Sequence, residues 1–132
     1  MDYLELMIAT EEYDPYLDRK EEFRMKVHSL KQLAVELDIA IVVFSSLRKK
    51  TMLEVESDGY EPCLYQIGCG AYTEEALNAL DVICLLHRPD LTKNQKSNIE
   101  DCQIIVAKNH NSSTKNVWVK FNRKHFRFEN IE

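Results

Sequence analysis

Two hydroxyl groups and three positive charges stand close together near the middle of the chain. Ser45 and Ser46 directly follow the apolar run of residues 39–44. Three basic residues come shortly after them: Arg48, Lys49 and Lys50. Because open α/β sheets bind their ligands outside the carboxyl ends of the strands, this position makes all five residues candidates for a ligand site. A buried strand that leaves the core through a polar turn would give the same pattern, so the residues alone leave both interpretations open.

The apolar run before the hydroxyl groups predicts a central β-strand. Residues 39–44 are apolar without alternation and mostly β-branched, which is typical of a strand covered on both faces in a parallel α/β sheet. The preceding segment, residues 17–37, has apolar side chains at helical spacing: Phe23, Val27, Leu30, Ala34 and Leu37. We therefore predict an amphipathic crossover helix, capped by Asp18, that leads into the strand and completes a right-handed βαβ unit.

The remaining elements are predicted from apolar periodicity and turn residues. In chain order they are a strand tail at residues 1–8, a long polar connection at 47–72, a short helix at 73–80 capped by Thr73, a strand at 81–88, a loop or disordered segment at 89–100, a strand at 102–108, and a hairpin whose strands, 117–121 and 125–128, flank a turn at 122–124. Connections as long as residues 47–72 are usually functional or mobile in a compact domain.

The composition is that of one globular domain. The chain has 132 residues, of which 45% are hydrophobic and 30% charged. No apolar run approaches the roughly 20 residues of a membrane helix, and the N-terminus is acidic where a signal peptide would be basic, so we expect a cytoplasmic protein with no membrane partner. The cysteines lack the paired spacing of a zinc site, and we expect Cys84 and Cys102 to be reduced and to pack as small apolar side chains.

The net charge of −5 hides an asymmetry between the two ends of the chain. Residues 1–22 are strongly acidic, whereas residues 103–128 contain lysines and arginines but no acid. A polyanion could bind this second half. The acidic balance of the whole chain nevertheless argues against strong independent binding to nucleic acid, because that affinity grows with the number of phosphates neutralised.

Six segments, taken in order, resemble the RecA-like motor domain of DnaB-type replicative DNA helicases. They are residues 2–7, 30–37, 42–47, 80–88, 105–111 and 117–128. The resemblance is collinear over nearly the whole chain and is poor only around residues 62–73. It implies an α/β fold, a partial RecA-like three-layer sandwich with a mainly parallel sheet and a C-terminal antiparallel hairpin, in a single domain over residues 1–132.

The resemblance also implies roles for individual residues. Asp2 takes the place of the Walker B aspartate, which holds the Mg²⁺ of bound ATP, and Tyr3 lies beside it in the nucleotide site. Ser46 replaces a glutamine that senses the terminal phosphate, and its shorter hydroxyl puts that sensing in doubt. Lys108 takes the place of a lysine near the neighbouring subunit's phosphates. His110 stands where the family has an arginine finger, and a neutral imidazole cannot replace that permanently charged fork.

A DNA contact is implied for the long polar connection. Its residues Gln66, Gly68 and Gly70 fall where the family grips the backbone of single-stranded DNA, although the Arg-Glu pair expected there is missing. The basic residues after Ser46 are expected to contribute to the same channel: Arg48, Lys49 and Lys50.

The sequence departs from the family by lacking a phosphate-binding G-x-x-x-x-G-K-[ST] loop. We therefore expect a piece of a homohexameric helicase whose full-length parent couples ATP hydrolysis to translocation on single-stranded DNA and to duplex unwinding in replication. We expect this chain alone neither to hydrolyse ATP nor to bind ATP and Mg²⁺ tightly. The alternative is a stand-alone, non-catalytic remnant that docks on a helicase ring or self-associates through an exposed sheet edge.

Overall fold

The computed structural model describes residues 3–7, 18–47, 73–88 and 97–131. They belong to two compact units, one formed by Met1–Lys49 with Leu64–Leu80 and the other by Lys50–Cys63 with Asp81–Glu132. Neither helix in the described ranges is long and apolar enough to cross a membrane.

The first unit is built around the predicted crossover helix. Helix α1 spans Arg19–Glu36, with Asp18 at its N-cap position as predicted, although the Asp18 side chain makes no capping hydrogen bond. Phe23, Val27 and Leu30 are buried, which confirms the predicted apolar face over most of its length. The prediction fails at Leu37, which is 58% exposed, because the helix ends one residue earlier and Leu37 is its C-cap.

The second helix confirms the predicted cap. Helix α2 spans Glu74–Ala79, and the Thr73 hydroxyl oxygen accepts a hydrogen bond of 3.1 Å from the Ala76 amide. This bond satisfies one of the amides that the first helical turn leaves without a partner inside the helix. Helix α2 packs against α1, and an ion pair of 3.3 Å joins Arg24 of α1 to Glu75 of α2.

Two predicted strands of the first unit do not form in the described residues. Leu4–Leu6 is a short 3₁₀ helix rather than the tail of a strand. Residues 39–46 form neither helix nor strand, and Val42 and Phe44 are 67% and 60% exposed instead of buried on both faces. A strand exists only when a neighbour takes up its backbone groups. The Leu4 amide supplies one such bond, 2.8 Å long, to the Phe44 carbonyl.

The second unit contains a four-stranded sheet in the order β1-β2-β3-β4. The strands are β1 Val82–His87, β2 Ile99–Asn109, β3 Asn116–Asn122 and β4 Arg127–Asn130. Each neighbouring pair is antiparallel. The predicted C-terminal antiparallel hairpin is therefore confirmed as β3 and β4, whereas the mainly parallel sheet is not confirmed by the described strands.

Two boundaries in the sheet differ from the predictions. Strand β2 begins at Ile99, so the end of the predicted loop at residues 89–100 was wrong: Ile99 and Glu100 pair with Asn122 and Phe121 of β3. The hairpin returns at Arg127 instead of residue 125, after a turn that spans residues 123–126. Pairing with β3 therefore extends β2 to include Glu100, a residue that the local sequence pattern placed in a loop.

Glu100 lies buried at the start of β2 with only 5% of its surface exposed. Arg88, just after β1, donates to Oε2 of Glu100 from Nε, over 3.0 Å, and from Nη2. Arg123, in the β3–β4 turn, places Nη1 3.1 Å from Oε1 of the same carboxylate. The Arg88 guanidinium also lies 5.1 Å from the ring centroid of Phe121, within cation–π range. We call Arg88, Glu100 and Arg123 the arginine clasp.

The two described cysteines differ in their surroundings. Cys102 is fully buried and behaves as the small apolar side chain that was predicted, and burial raises the pKa of its thiol. Cys84 is exposed on β1, so the prediction that it packs in the core was wrong. Strand β1 alternates between exposed and buried side chains, and Cys84 falls on its exposed face. Both thiols are free.

The arginine clasp should contribute more stability than a neighbouring surface ion pair. Replacing Glu100 by Gln leaves two guanidinium groups facing an amide and should lower the free energy of unfolding by about 2 kcal/mol. The matched control is Asp101→Asn, which breaks the exposed pair between Asp101 and Lys120 and should cost below about 1 kcal/mol. Urea unfolding followed by circular dichroism measures both. Equal losses would contradict the structural role given to Glu100.

Candidate functional site

Several predicted site residues lie outside the described part of the chain. They are Asp2, Arg48, Lys49, Lys50, Gln66, Gly68 and Gly70. The described candidates are Tyr3 and Ser46 in the first unit and Lys108 and His110 in the second.

In the first unit, one carboxylate holds both predicted serines. Oε1 of Glu5 accepts a hydrogen bond of 2.6 Å from the Ser45 hydroxyl and one of 2.9 Å from the Ser46 amide. Because the amide at position 46 also donates, this contact does not depend on the side chain there. The carboxylate therefore fixes the backbone at Ser46, for which a phosphate-sensing role is predicted.

Tyr3 starts the short segment that carries Glu5. Its backbone has φ 57°, in the left-handed region, and its side chain is exposed. Leu4 follows and is buried, and its amide donates to the Phe44 carbonyl. A left-handed tyrosine is uncommon and costs about 1 kcal/mol or more, which the burial of Leu4 and the contacts of Glu5 offset. The side chain of Tyr3 is thus exposed at the start of the segment that carries Glu5.

In the second unit, Lys108 and His110 stand at the end of β2. Lys108 pairs with Ile83, and the register of β1 against β2 shifts between Ile83 and Cys84. The His110 amide donates to the Asp81 carbonyl over 3.0 Å, and its Nδ1 lies 3.8 Å from Oδ1 of Asp81. The side chains of His110 and Asp81 are both more than half exposed. Asp81 thus fixes the backbone of His110, whose ring stays more than half exposed near the Asp81 carboxylate.

The chemistry available at this end of β2 is positive charge that solvent can reach. Lys108 supplies an amine on a flexible chain, whereas His110 carries charge only when its imidazole is protonated. A planar arginine would present two parallel donors to an anion, and neither residue can do so. In residues 3–7, 18–47, 73–88 and 97–131 there is no group of three His, Cys, Asp or Glu side chains that could hold a metal ion.

Sequence patterns missed Glu5, Asp81 and Glu100 as positioning residues. Each is an acid beside apolar residues, and such an acid signals a partner elsewhere in the chain. The partners are 40 and 41 residues away for Glu5 and 29 residues away, as 110 minus 81, for Asp81. Local spacing therefore could not identify them.

Glu5 should hold the end of residues 39–46 in place. Replacing Glu5 by Ala removes both acceptor contacts, so the Ser46 amide should exchange its hydrogen several times faster, since exposed hydrogen bonds contribute about 1 kcal/mol each. Glu5→Gln is the matched control because its amide oxygen still accepts, and it should change exchange less. Hydrogen exchange followed by NMR measures the rate. An unchanged rate in Glu5→Ala would show that the contact has no positioning role.

Comparison with known proteins identifies the family. A family model described as "DnaB-like helicase C terminal domain" matches residues 1–130. The chain is 34% identical over 129 residues to the replicative DNA helicase DnaB of Treponema pallidum (strain Nichols), a match that covers 97% of this chain and 25% of that protein. Across three curated relatives, the chain spans between 20% and 27% of their length.

Solved structures agree with this assignment. A structure described as "The Structure Of A DnaB-Like Replicative Helicase And Its Interactions With Primase" is similar with a TM-score of 0.77 and 25% identity, over 99% of this chain and 30% of that one. A second solved structure, described as an ATPase domain, has a TM-score of 0.75 and 23% identity, over 99% of this chain and 43% of that one, and this likeness supports the RecA-like ATPase fold alone. With the family model matching nearly its whole length, the chain belongs to the DnaB-like helicase C-terminal domain family.

Proposed function

We propose that the chain forms the part of a replicative helicase motor that follows the P-loop. The full-length parent is a homohexamer that couples ATP hydrolysis to movement along single-stranded DNA and to duplex unwinding in replication. The observation that carries this proposal is the family match over residues 1–130. The motor fold is one domain in the proposal, with both compact units belonging to it.

The end of β2 supplies the contact with a neighbouring subunit. Lys108 and His110 are proposed to approach the phosphates of ATP bound next door, where positive charge stabilises the transferring phosphoryl group. The exposure of His110 and the fixation of its backbone by Asp81 support this role. Because an imidazole must be protonated to act as a cation, the contribution of His110 is smaller than that of an arginine finger.

The first unit supplies the nucleotide side of the motor. Asp2, followed by Tyr3, is proposed to hold Mg²⁺ and ATP, the metal providing a positive charge that bridges phosphate oxygens. Ser46 stands at the phosphate-sensing position. The Glu5 contact supports this placement because it fixes the backbone of Ser46. Single-stranded DNA is proposed to bind the polar connection through a set of six residues: Arg48, Lys49, Lys50, Gln66, Gly68 and Gly70.

Alone, the chain is proposed not to hydrolyse ATP. Phosphoryl transfer depends on holding the triphosphate and the metal together, and the printed sequence has no G-x-x-x-x-G-K-[ST] loop to cradle the phosphates. Neither ATP nor Mg²⁺ is expected to bind tightly without it.

A phosphate-release assay tests this proposal. The chain alone, with ATP, Mg²⁺ and single-stranded DNA, should turn over below about 0.1 per second, an order of magnitude under ordinary enzymes. Fused behind the P-loop half of the Treponema pallidum relative, it should regain DNA-stimulated hydrolysis. In that fusion, Lys108→Ala should lower turnover at least about tenfold.

The control for that substitution is Lys115→Ala, which removes the same charge from an exposed lysine before β3. It should leave turnover within about twofold. Turnover by the chain alone above the stated limit would overturn the claim that it is inactive. If the Lys108→Ala and Lys115→Ala fusions hydrolyse ATP at the same rate, the proposed role of Lys108 at the subunit boundary would be wrong.

A second candidate function rests on the exposed apolar side chains of the first unit. Several large apolar residues around the end of α1 are half exposed or more: Val35, Leu37, Ile39, Val42 and Phe44. Such a patch is typical of a surface that another protein covers. It favours the non-catalytic alternative, in which the chain self-associates or docks on a helicase ring.

Light scattering behind a size-exclusion column tests this second candidate. The chain should elute above its monomer mass of 15.5 kDa at concentrations near about 50 μM, and Val42→Asp with Phe44→Asp should return it to monomer because buried charge opposes association. The control is Ile131→Asp, which changes an exposed isoleucine of the other unit. A monomeric wild-type chain at every concentration would contradict self-association.

A further inference from the structure

The turn between β3 and β4 presents an aromatic ring among positive charges. Residues 123–126 are Arg123, Lys124, His125 and Phe126, and all are exposed. Phe126 is 85% exposed, more than any other large hydrophobic residue described. Folding alone gives no reason to hold a phenyl ring in water, because its burial would be worth about 2 kcal/mol.

The backbone at Phe126 is also unfavourable for an aromatic residue. Its φ is 50°, in the left-handed region that glycine and asparagine occupy at little cost. A bulky residue there costs about 1–2 kcal/mol. An outlier of this kind is a reason to look for a function, since a glycine would close the same turn more easily.

The turn is fixed by hydrogen bonds on both sides. The Arg123 amide donates to the Asn98 carbonyl over 2.8 Å, and the His125 amide donates to Oδ1 of Asn122 over 3.3 Å. The arginine clasp holds the Arg123 side chain through Glu100. The ring of Phe126 therefore projects from a preorganised turn, which lowers the entropic cost of binding a ligand.

A second brace lies at the start of β4. Arg127 donates from Nε to Oε1 of Glu129 over 2.7 Å, and Asn122 donates to the same oxygen over 3.1 Å. These bonds hold the pKa of Glu129 below its ordinary value. The carboxylate thus stays charged near neutral pH and keeps β4 tied to the end of β3.

The charge around the ring is positive. Glu100 is shared between two arginines, so the arginine clasp keeps one net positive charge. Lys124, two residues before Phe126 in the same turn, adds another. Residues 103–128 contain no acid, and the charge of Glu129, just beyond them, is balanced by its ion pair with Arg127. Cations beside an exposed ring suit a ligand that offers phosphates and flat apolar faces together.

We propose that the β3–β4 turn is a binding site for single-stranded nucleic acid, in which an unpaired base stacks on Phe126 while Arg123 and Lys124 contact the flanking phosphates. Single strands are favoured over duplexes because base faces are open only when bases are unpaired. Binding to a lipid surface would require several apolar side chains at the tip of the turn. An acidic peptide offers carboxylates for the cations but no flat face to stack on the Phe126 ring.

This site goes beyond the proposed function because it requires neither nucleotide nor a ring of subunits. It also lies apart, in the sequence, from the DNA contacts proposed for residues 48–70. The contacts are few and the chain is acidic overall, so binding should be weak and should need low salt to be measured.

Fluorescence polarisation with a labelled 20-nucleotide oligothymidine, at about 50 mM salt and without nucleotide, tests the site. Phe126→Ala should weaken binding about five- to tenfold, while Phe126→Tyr should bind as the wild type does. Phe126→Gly should weaken binding equally yet raise the unfolding midpoint in urea, since it relieves the left-handed backbone. An abasic strand of equal length should bind wild type and Phe126→Ala alike.

The phosphate contacts have their own test. Lys124→Ala should reduce the slope of log affinity against log salt by about 0.7, the value for one phosphate on a single strand. Lys115→Ala, which changes an exposed lysine just before β3, should leave the slope unchanged. Polyglutamate of matched charge should compete poorly. If polyglutamate competed as well as the unlabelled oligonucleotide, base stacking would not contribute, and the turn would be a site for acidic peptides.

The results of these binding experiments distinguish the turn site from the proposed helicase function. Loss of binding on replacing Lys49 and Lys50 by Ala, with no effect of Phe126→Ala, would overturn the turn site and leave the helicase assignment standing. Absence of any binding by the wild type at low salt would also overturn the turn site. Weakening by Phe126→Ala in a chain that hydrolyses no ATP would support the turn site by itself.

Discussion

The arginine clasp is the contact on which the second unit depends. Glu100 is nearly buried, and a buried carboxylate is tolerated only when charged donors satisfy its oxygens. Its two partners come from separate connections, Arg88 from the end of β1 and Arg123 from the β3–β4 turn. One acid therefore ties together the end of β1, the start of β2 and the hairpin turn. The aromatic contact between Phe121 and Phe128, with ring centroids 5.0 Å apart, lies along the hairpin beside it.

The first unit shows the opposite situation, in which large apolar side chains of the described residues stay exposed to solvent. A helix satisfies most of its backbone groups internally, so α1 needs partners chiefly for its buried apolar face. A strand requires partners from elsewhere in the fold. In the described residues, the Leu4 amide donates to the Phe44 carbonyl, and the Ile39 amide donates back to the Ala34 carbonyl of α1. The apolar run that would suit a central strand consequently stays exposed at Val42 and Phe44. Whatever covers it would supply both the hydrogen bonds and the apolar contacts that a strand needs.

This difference explains how much of the molecule the sequence could predict. The helix at Arg19–Glu36, the Thr73 cap and the C-terminal hairpin depend on residues close in sequence, and each was predicted. Sheet direction depends on which distant strands meet, and the apolar pattern could not distinguish parallel from antiparallel neighbours. Lys108 and His110 came from the family resemblance. The roles of Glu5 and Glu100 were missed because the sequence around a lone acid in an apolar segment does not show which distant residue pairs with it.

Strand β2 carries a group of positive residues at each of its ends. Lys108 lies near its end, and Glu100, near its start, holds Arg123 and the turn that bears Phe126. Lys108 lies eight residue steps along the strand from Glu100 (108 minus 100), which is roughly 27 Å at about 3.4 Å per residue. This distance exceeds the Debye length of about 8 Å at physiological salt, so the charges at the two ends scarcely influence each other. The hydrogen-bonded ladder nevertheless joins them as one body. Any coupling between ligands bound at the two ends would therefore have to pass through the strand itself and not through its electric field.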